Sequence, residues 1–342
     1  MAVPACLPRR IYACTMDLSV AFLGTGGSVP TARRATACLL VMRGGDRIMF
    51  DCGEGSQRQL HRSLGLVQLD EIYLSHLHLD HYLGLPGLLK TYDLQSREVP
   101  LTIHGPPGLA DLYVALRRLI GKTRYEVRVN ELAPGQAVPH DGYEVRAFPV
   151  EHRMTAFGYA LVEAERPGRF DKGAADRLGV PEGPGFSALQ RGEEVKGADG
   201  VVRPEDVMGE ARGGRTVVIT GDTAPCLATA EAAQGAALLI HDGSFAEEEA
   251  QRAAETGHST AGQAAALARE AGVKMLALVH VSSRYNVGQV LEEARAVLPG
   301  AIAPRDFDLV EIPFPERGEP ELVQEGAMQR PEPLAEPAPA GD

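Results

Sequence analysis

Nowhere does this 342-residue chain offer the roughly 20 consecutive apolar residues that a membrane-spanning helix needs. Its first ten residues hold two prolines and two arginines but no continuous apolar segment like the core of a secretory signal. These absences exclude a spanning helix and predict a soluble, cytoplasmic protein with no membrane partner. Cysteine is scarce: Cys6, Cys14, Cys38, Cys52 and Cys226 are odd in number and form no Cys-x-x-Cys pair. That excludes a disulfide framework and a thiolate zinc site, and it suits a reducing compartment. Positive charge is short as well. With 34 Lys and Arg against 46 Asp and Glu, the formal net charge of −12 argues against broad, nonspecific affinity for nucleic acid, which comes from counterions displaced at cationic contacts. A dinucleotide fingerprint is missing too, because Gly24-Thr25-Gly26-Gly27 is followed by Val29 where that fingerprint requires glycine; the run reads as a tight turn after a strand.

What is present is an ordinary globular composition, 44% hydrophobic and 23% charged, long enough for a large core. Strand-like runs at residues 18–23, 37–42, 47–51, 71–74, 101–104, 143–150, 159–162, 215–220 and 274–279 alternate with helical patterns at 108–120, 227–234, 245–256, 260–271 and 288–297. A layered α/β fold is the expectation. Residues 1–16 are expected to be a disordered extension or the product of a start codon called too early. Residues 315–342 are expected to be a disordered tail, since the part from Glu316 carries seven acidic residues against two arginines and is rich in proline. The catalytic body is then 17–314. Within it, residues 163–212 turn polar and rich in Gly and Pro, a long insertion of the kind that is often functional.

The chemistry is announced by Ser75-His76-Leu77-His78-Leu79-Asp80-His81, which follows an apolar strand-like stretch. His76 and His78, two apart in extended backbone, point the same way and can share one metal, while Asp80 and His81 turn toward a second. Three other strand-like runs lead into His152, Asp222 and His280. The seven residues divide into His76, His78 and His152 for one ion, Asp80, His81 and His280 for the other, and Asp222 as a bridge. Imidazole and carboxylate without thiolate suit two zinc ions per subunit, with manganese or iron as alternatives, and leave a position for water. His61, His104, His140 and His241 lack such partners and read as structural. Ser259 or Thr260 caps a helix that Gly272 ends, so His258 falls just before its first turn, where its ring is exposed.

The run His76 to His81 resembles the signature of the metallo-β-lactamase superfamily, and the flanking blocks are similar to the ribonuclease Z family of tRNA 3′-processing endonucleases. These blocks are Phe22 to Gly26, Phe50 to Gly55, Gly84 to Leu89, Glu151-His152 with Phe157 to Tyr159, Thr220 to Thr223, His258 to Thr260, and His280 with Ser283 to Tyr285. The resemblance implies an αββα four-layer sandwich with an inserted flexible arm and a dimetal site at one edge. It also implies a zinc-dependent endoribonuclease acting on precursor tRNA, and a homodimer in which the arm of one subunit presents tRNA to the other. Asp80 would accept a proton from the attacking water, and His258, oriented by Asp242, would protonate the leaving oxygen. The arm's candidate RNA contacts are Arg166, Arg169, Lys172, Arg177, Gly183 and Pro184, with Arg284 outside it. Leu79 stands where the family usually has Gly, Ala35 where it often has Asn, and Asp242 where it usually has Glu. The arm itself holds eleven acidic residues against eight basic ones, a net of −3, so it is no basic clamp. The alternative within the same fold is a phosphodiesterase or esterase acting on a small molecule.

Overall fold

The computed structural model describes residues 18–323. The expected extension 1–16 and residues 324–342 of the expected tail lie outside the described residues. Two compact units form. The larger takes the described residues up to Val138, then Val145–Leu161 and the chain from Thr216; the smaller takes Pro139–Glu144 and Val162–Arg215.

The strands are β1 (Leu18–Gly24), β2 (Cys38–Arg43), β3 (Asp46–Phe50), β4 (Glu71–Tyr73), β5 (Leu101–Gly105), β6 (Val127–Glu131), β7 (Ala137–His140), β8 (Tyr143–Pro149) and β9 (Phe157–Glu163). They continue with β10 (Val195–Lys196), β11 (Val201–Val202), β12 (Thr216–Ile219), β13 (Leu238–Asp242), β14 (Met275–Val279), β15 (Leu309–Glu311) and β16 (Glu321–Val323). The two large sheets have the orders β16-β15-β1-β2-β3-β4-β5-β6 and β14-β13-β12-β9-β8-β7, and β10 and β11 form a two-stranded sheet of their own. The helices are α1 (Ser56–Arg62), α2 (Leu79–Tyr82), α3 (Leu85–Leu94), α4 (Leu109–Ile120), α5 (Lys172–Arg177), α6 (Pro184–Gln190), α7 (Leu227–Ala232), α8 (Ala250–Thr256), α9 (Ala261–Glu270) and α10 (Val287–Val297).

Strand alternation explains the layers. Leu40, Met49, Ile72 and Ile103 are successive cross-strand partners and share one core with Leu60 of α1, Leu88 and Leu89 of α3 and Leu116 of α4. Their neighbours Phe50, Tyr73 and His104 face the other way as a stacked ladder, with ring centroids 5.3 and 4.4 Å apart. Against that ladder packs Tyr159 of β9, whose hydroxyl donates to the Leu74 carbonyl at 2.6 Å, so the two sheets meet through their aromatic faces. In the second sheet β12, β13 and β14 are parallel, and α9 lays the buried Ala264, Ala265 and Ala268 on β13 and β14. Small residues let that helix lie close. Thr260 caps α9 in a box with Gln263, which fixes where the chain leaves His258.

Some elements differ from expectation. β13 carries Leu238-Leu239-Ile240, buried throughout, so its apolar run shows no alternation to mark a strand. In α3 the spacing Leu85, Leu88, Leu89, Tyr92 is helical but is masked by Gly84, Pro86 and Gly87. The α-helix expected from 245 begins only at Ala250, after a 3-10 turn at Glu247–Glu249, because Phe245 pairs with Thr260 as an isolated bridge and is held extended. The expected tail starts too early: Glu321–Val323 adds to β15 as an antiparallel edge strand, which the Pro- and Glu-rich average of the region conceals.

The smaller unit has a core of its own from Ala175, Val180, Leu189, Val202 and Val207, with Phe170 against Phe186 at 5.0 Å. Five residues scattered over short elements leave little pattern in the sequence. Where the chain enters and leaves this unit, the Arg215 guanidinium grips Glu163 through two contacts of 2.7 Å, Nε to Oε2 and Nη2 to Oε1. Both side chains are at most 3% exposed. Arg215→Ala removes the guanidinium from a buried carboxylate, and denaturant unfolding is expected to show a loss of about 3–5 kcal/mol; an unchanged midpoint would count against this role.

Candidate metal centre

His76 and His78 lie in the short loop between β4 and α2, and His78, extended with φ −77° and ψ 149°, turns directly into α2. The two rings therefore fall on one side. His76 Nε2 stands 2.9 Å from His78 Nδ1, and His152 Nε2 stands 3.3 Å from that same Nδ1. His152 Nδ1 lies 2.8 Å from the Gly257 carbonyl, which can only accept; the ring donates there and leaves Nε2 without a proton, facing His78. Burial and the neighbouring His81 hold the His76 imidazole well below its usual pKa, so it is neutral.

Asp80 and His81 lie in the first turn of α2 and turn away from this trio, as the helical twist demands. His280, at the end of β14 with φ 59°, places Nε2 at 3.3 Å from Asp80 Oδ2 and 3.3 Å from Asp222 Oδ2. Asp222 follows β12. Its Oδ2 lies 3.4 Å from His81 Nε2 and 3.7 Å from His76 Nε2, so this carboxylate faces both groups. Ligand atoms of His76, His78, His152 and Asp222 lie within 4.8 Å of one another, and so do those of Asp80, His81, Asp222 and His280. Burial alone would raise the Asp222 pKa, but the charges of His280 and His81 outweigh it and hold it well below the carboxylate range. At His81 burial opposes the charged ring, yet Asp222 and Asp51 win and raise its pKa well above the usual value. The buried atoms Asp222 Oδ1 and His81 Nε2 have no hydrogen-bond partner. Buried polar atoms left without a partner at the meeting point of imidazoles and carboxylates fit divalent metal ions.

Beyond Asp222 lies a pair of different character. Asp242, at the end of β13 and fully buried, accepts from His258 Nδ1 at 2.7 Å, Thr223 N at 3.1 Å, Ser244 N at 2.8 Å and Ser244 Oγ at 2.6 Å. Asp242 and His258 also come within 4.8 Å of Asp222 and His280. The Asp242 carboxylate, however, is already satisfied by hydrogen bonds, so it is a holder of His258 rather than a donor to an ion. Burial works against a charged His258, but Asp242 overrides it and lifts the pKa to about 9. The ring is only 14% exposed, less than its place before a helix suggested.

The structure thus brings together all seven expected ligands, and Asp242 with His258 beside them. It adds four groups that sequence reasoning left without a role: Asp51, Ser75, Ser244 and the Gly257 carbonyl, which bond to the outer nitrogens of the histidines. Asp51 had one signal, its place directly after a strand like the other site residues. Gly27 also belongs here, since a Cβ on it would stand 2.5 Å from the His280 carbonyl oxygen. The expected RNA contacts are spread differently. Arg166, Arg169, Lys172, Arg177, Gly183 and Pro184 lie in the smaller unit, and Arg284 in the larger. Gly183, at φ 88°, and Pro184 open α6. Lys172 pairs with Glu182 at 2.6 Å and Arg284 with Glu249 at 3.3 Å.

Comparison with known proteins agrees with this geometry. The model of the metallo-beta-lactamase superfamily matches residues 31–250. Proteins named Ribonuclease Z from Methanosarcina acetivorans and Haloferax volcanii are 48% and 49% identical; each match covers 87% of this chain, and 99% and 96% of those proteins. One from Myxococcus xanthus is 45% identical, with 87% of this chain and 98% of that protein covered. Among solved structures, human tRNase Z, short form, superposes with a TM-score of 0.64 at 27% identity, covering 86% of this chain and 99% of that one. The metallo-beta-lactamase fold protein YhfI from Bacillus subtilis gives 0.65 at 20% identity over 87% of this chain and all of its own, which speaks to the fold alone. With its paired donor groups and these matches along most of its length, the chain belongs to the metallo-β-lactamase superfamily and, within it, to the ribonuclease Z family.

Proposed function

We propose that this chain is a zinc-dependent endoribonuclease that removes the 3′ trailer from precursor tRNA. It hydrolyses the phosphodiester after the discriminator nucleotide and leaves a tRNA 3′-hydroxyl and a trailer 5′-phosphate. The observation that carries this reading is the double donor set around Asp222 next to a separate Asp242–His258 pair, in a chain nearly half identical to proteins named Ribonuclease Z.

His76, His78, His152 and Asp222 would hold one ion, and Asp80, His81, His280 and Asp222 the other. Bound there, two zinc ions supply Lewis acidity at the phosphate and activate the attacking water. The chain's own residues move the protons. Asp80 Oδ2, held in place by the Ser28 N–H at 3.0 Å, accepts the proton of the attacking water. His258, kept charged by Asp242 at Nδ1, donates from Nε2 to the leaving 3′-oxygen. Grip on the tRNA is assigned to the insertion through Arg166, Arg169, Lys172, Arg177 and the Gly183-Pro184 turn, together with Arg284 outside it, and the working unit is a cytoplasmic homodimer.

Purified protein given a 3′-extended tRNA should release the trailer, with the cut mapping after the discriminator nucleotide. Chelator and Asp222→Ala should each abolish the reaction, the variant by losing metal as read by elemental analysis; cleavage that survives chelator would refute the metal requirement. His258→Ala should keep its metal yet turn over about 100-fold more slowly or worse, and unchanged turnover would remove it from the mechanism. Deleting residues 163–212 should end precursor tRNA cleavage while sparing hydrolysis of a small phosphodiester. An enzyme built for small molecules would instead be indifferent on its own substrate.

A further inference from the structure

Two buried serines stand outside the chemistry just described, and each occupies the same position relative to two imidazoles and one carboxylate. Ser75 Oγ lies 3.0 Å from Asp51 Oδ1, 2.9 Å from Asp51 Oδ2 and 3.0 Å from His76 Nδ1, while Asp51 Oδ2 lies 2.8 Å from His81 Nδ1. Ser244 Oγ lies 2.6 Å from Asp242 Oδ1 and 2.8 Å from His280 Nδ1, while Asp242 Oδ2 lies 2.7 Å from His258 Nδ1. The two arrangements come from unrelated segments of the chain.

A hydroxyl has one proton, and a carboxylate only accepts. Each serine therefore gives its proton to its aspartate, the Ser244 hydroxyl favouring the carboxylate at 2.6 Å over the His280 carbonyl at 3.1 Å, and keeps its lone pairs for an imidazole N–H. The direction of both chains follows: His76 Nδ1–H to Ser75 Oγ, Ser75 O–H to Asp51, with His81 Nδ1–H donating to the same carboxylate; and His280 Nδ1–H to Ser244 Oγ, Ser244 O–H to Asp242, with His258 Nδ1–H donating there. In His76, His81 and His280 the Nε2 atom is thereby turned to Asp222, from which it stands 3.7, 3.4 and 3.3 Å. Ser75 packs against Gly221 so closely that a Cβ there would stand 2.6 Å from the Ser75 Cβ and 2.8 Å from its Oγ, so residue 221 has to be glycine for the hydroxyl to sit where it does.

We infer that Ser75 and Ser244 are positioning residues, hydroxyl joints that fix which nitrogen of His76 and His280 faces the metal positions. Ser75 with Asp51 joins a donor of one metal group, His76, to a donor of the other, His81. Ser244 with Asp242 joins the metal donor His280 to the proton donor His258. This inference rests on the metal-centre reading above, and the experiment separates the two.

Zinc affinity is measured by competition with a chromophoric chelator for the wild type, Ser75→Ala, Ser244→Ala and the corresponding threonine variants, with circular dichroism of the metal-free proteins as the fold control. Each alanine variant should lose roughly 10- to 100-fold in affinity, and at least one threonine variant, which keeps the hydroxyl, should recover it. At saturating zinc, Ser244→Ala should also slow turnover in the wild type but add nothing to His258→Ala. Wild-type affinity in both alanine variants would overturn the inference, as would equal losses in alanine and threonine variants at both positions, which would trace the effect to packing. If one alanine variant does not fold, the other joint carries the test by itself. A wild-type protein that binds no zinc would sink the metal-centre reading instead.

Discussion

Everything at the site answers to one electrostatic constraint: acceptor atoms are made to face one another around the buried carboxylate of Asp222. Five imidazole nitrogens and the oxygens of Asp80 and Asp222 converge within hydrogen-bond range or just beyond it. Lone pairs aimed at lone pairs repel, and only positive charge between them relieves the strain. The pKa directions record that demand: Asp222 is pushed down while His81 and His280 are pushed up, so in the absence of metal the protein draws protons to the places that cations would fill. Metal and protons compete for the same donors. His76 goes the opposite way, because burial and the neighbouring His81 outweigh the pull of Asp222.

The fold is what keeps such an unfavourable cluster together. β12, β13 and β14 run parallel and in register, so Asp222, Asp242 and His280 leave the sheet at neighbouring strand ends. β4 brings the histidine run up from the other sheet, and the Ser75 carbonyl accepts from Phe157 N at 2.9 Å to tie the two sheets at that level. Both sheets are then locked by the Phe50, Tyr73 and Tyr159 rings directly beneath. Apolar burial and aromatic packing below thus offset the cost of gathering polar groups above.

How much of this was legible in the sequence depended on whether a residue's role is local. His76, His78, Asp80 and His81 announce themselves because strand and helix periodicity alone send their side chains to two sides. His152, Asp222 and His280 could be found because each follows a strand-like run. Asp51, Ser75 and Ser244 could not, since a serine or aspartate at a strand end has many ordinary uses and its imidazole partner lies far along the chain. β13 was lost for a similar reason: a fully buried parallel strand has no polar face to show its period. Asp242 at its tip was recognised only through the resemblance to ribonuclease Z. The small core of residues 162–215 stayed hidden because its elements are too short to display a repeat.

The charge balance bears on how an RNA would be held by such a chain. Neither the whole protein, at −12, nor the insertion, at −3 from 163 to 212, presents a cationic field. Two of the cations assigned to RNA are already paired, Lys172 with Glu182 and Arg284 with Glu249. Those side chains are 58% and 71%, and 50% and 34%, exposed. Ion pairs that open to solvent contribute little to stability. Exchanging a glutamate for a phosphate therefore costs little, and the exchange is selective because it asks the RNA backbone to arrive where the carboxylate already sits. In the proposed function, recognition then rests on shape, with a folded tRNA engaging dispersed local contacts and indifferent RNA repelled by the surrounding acid.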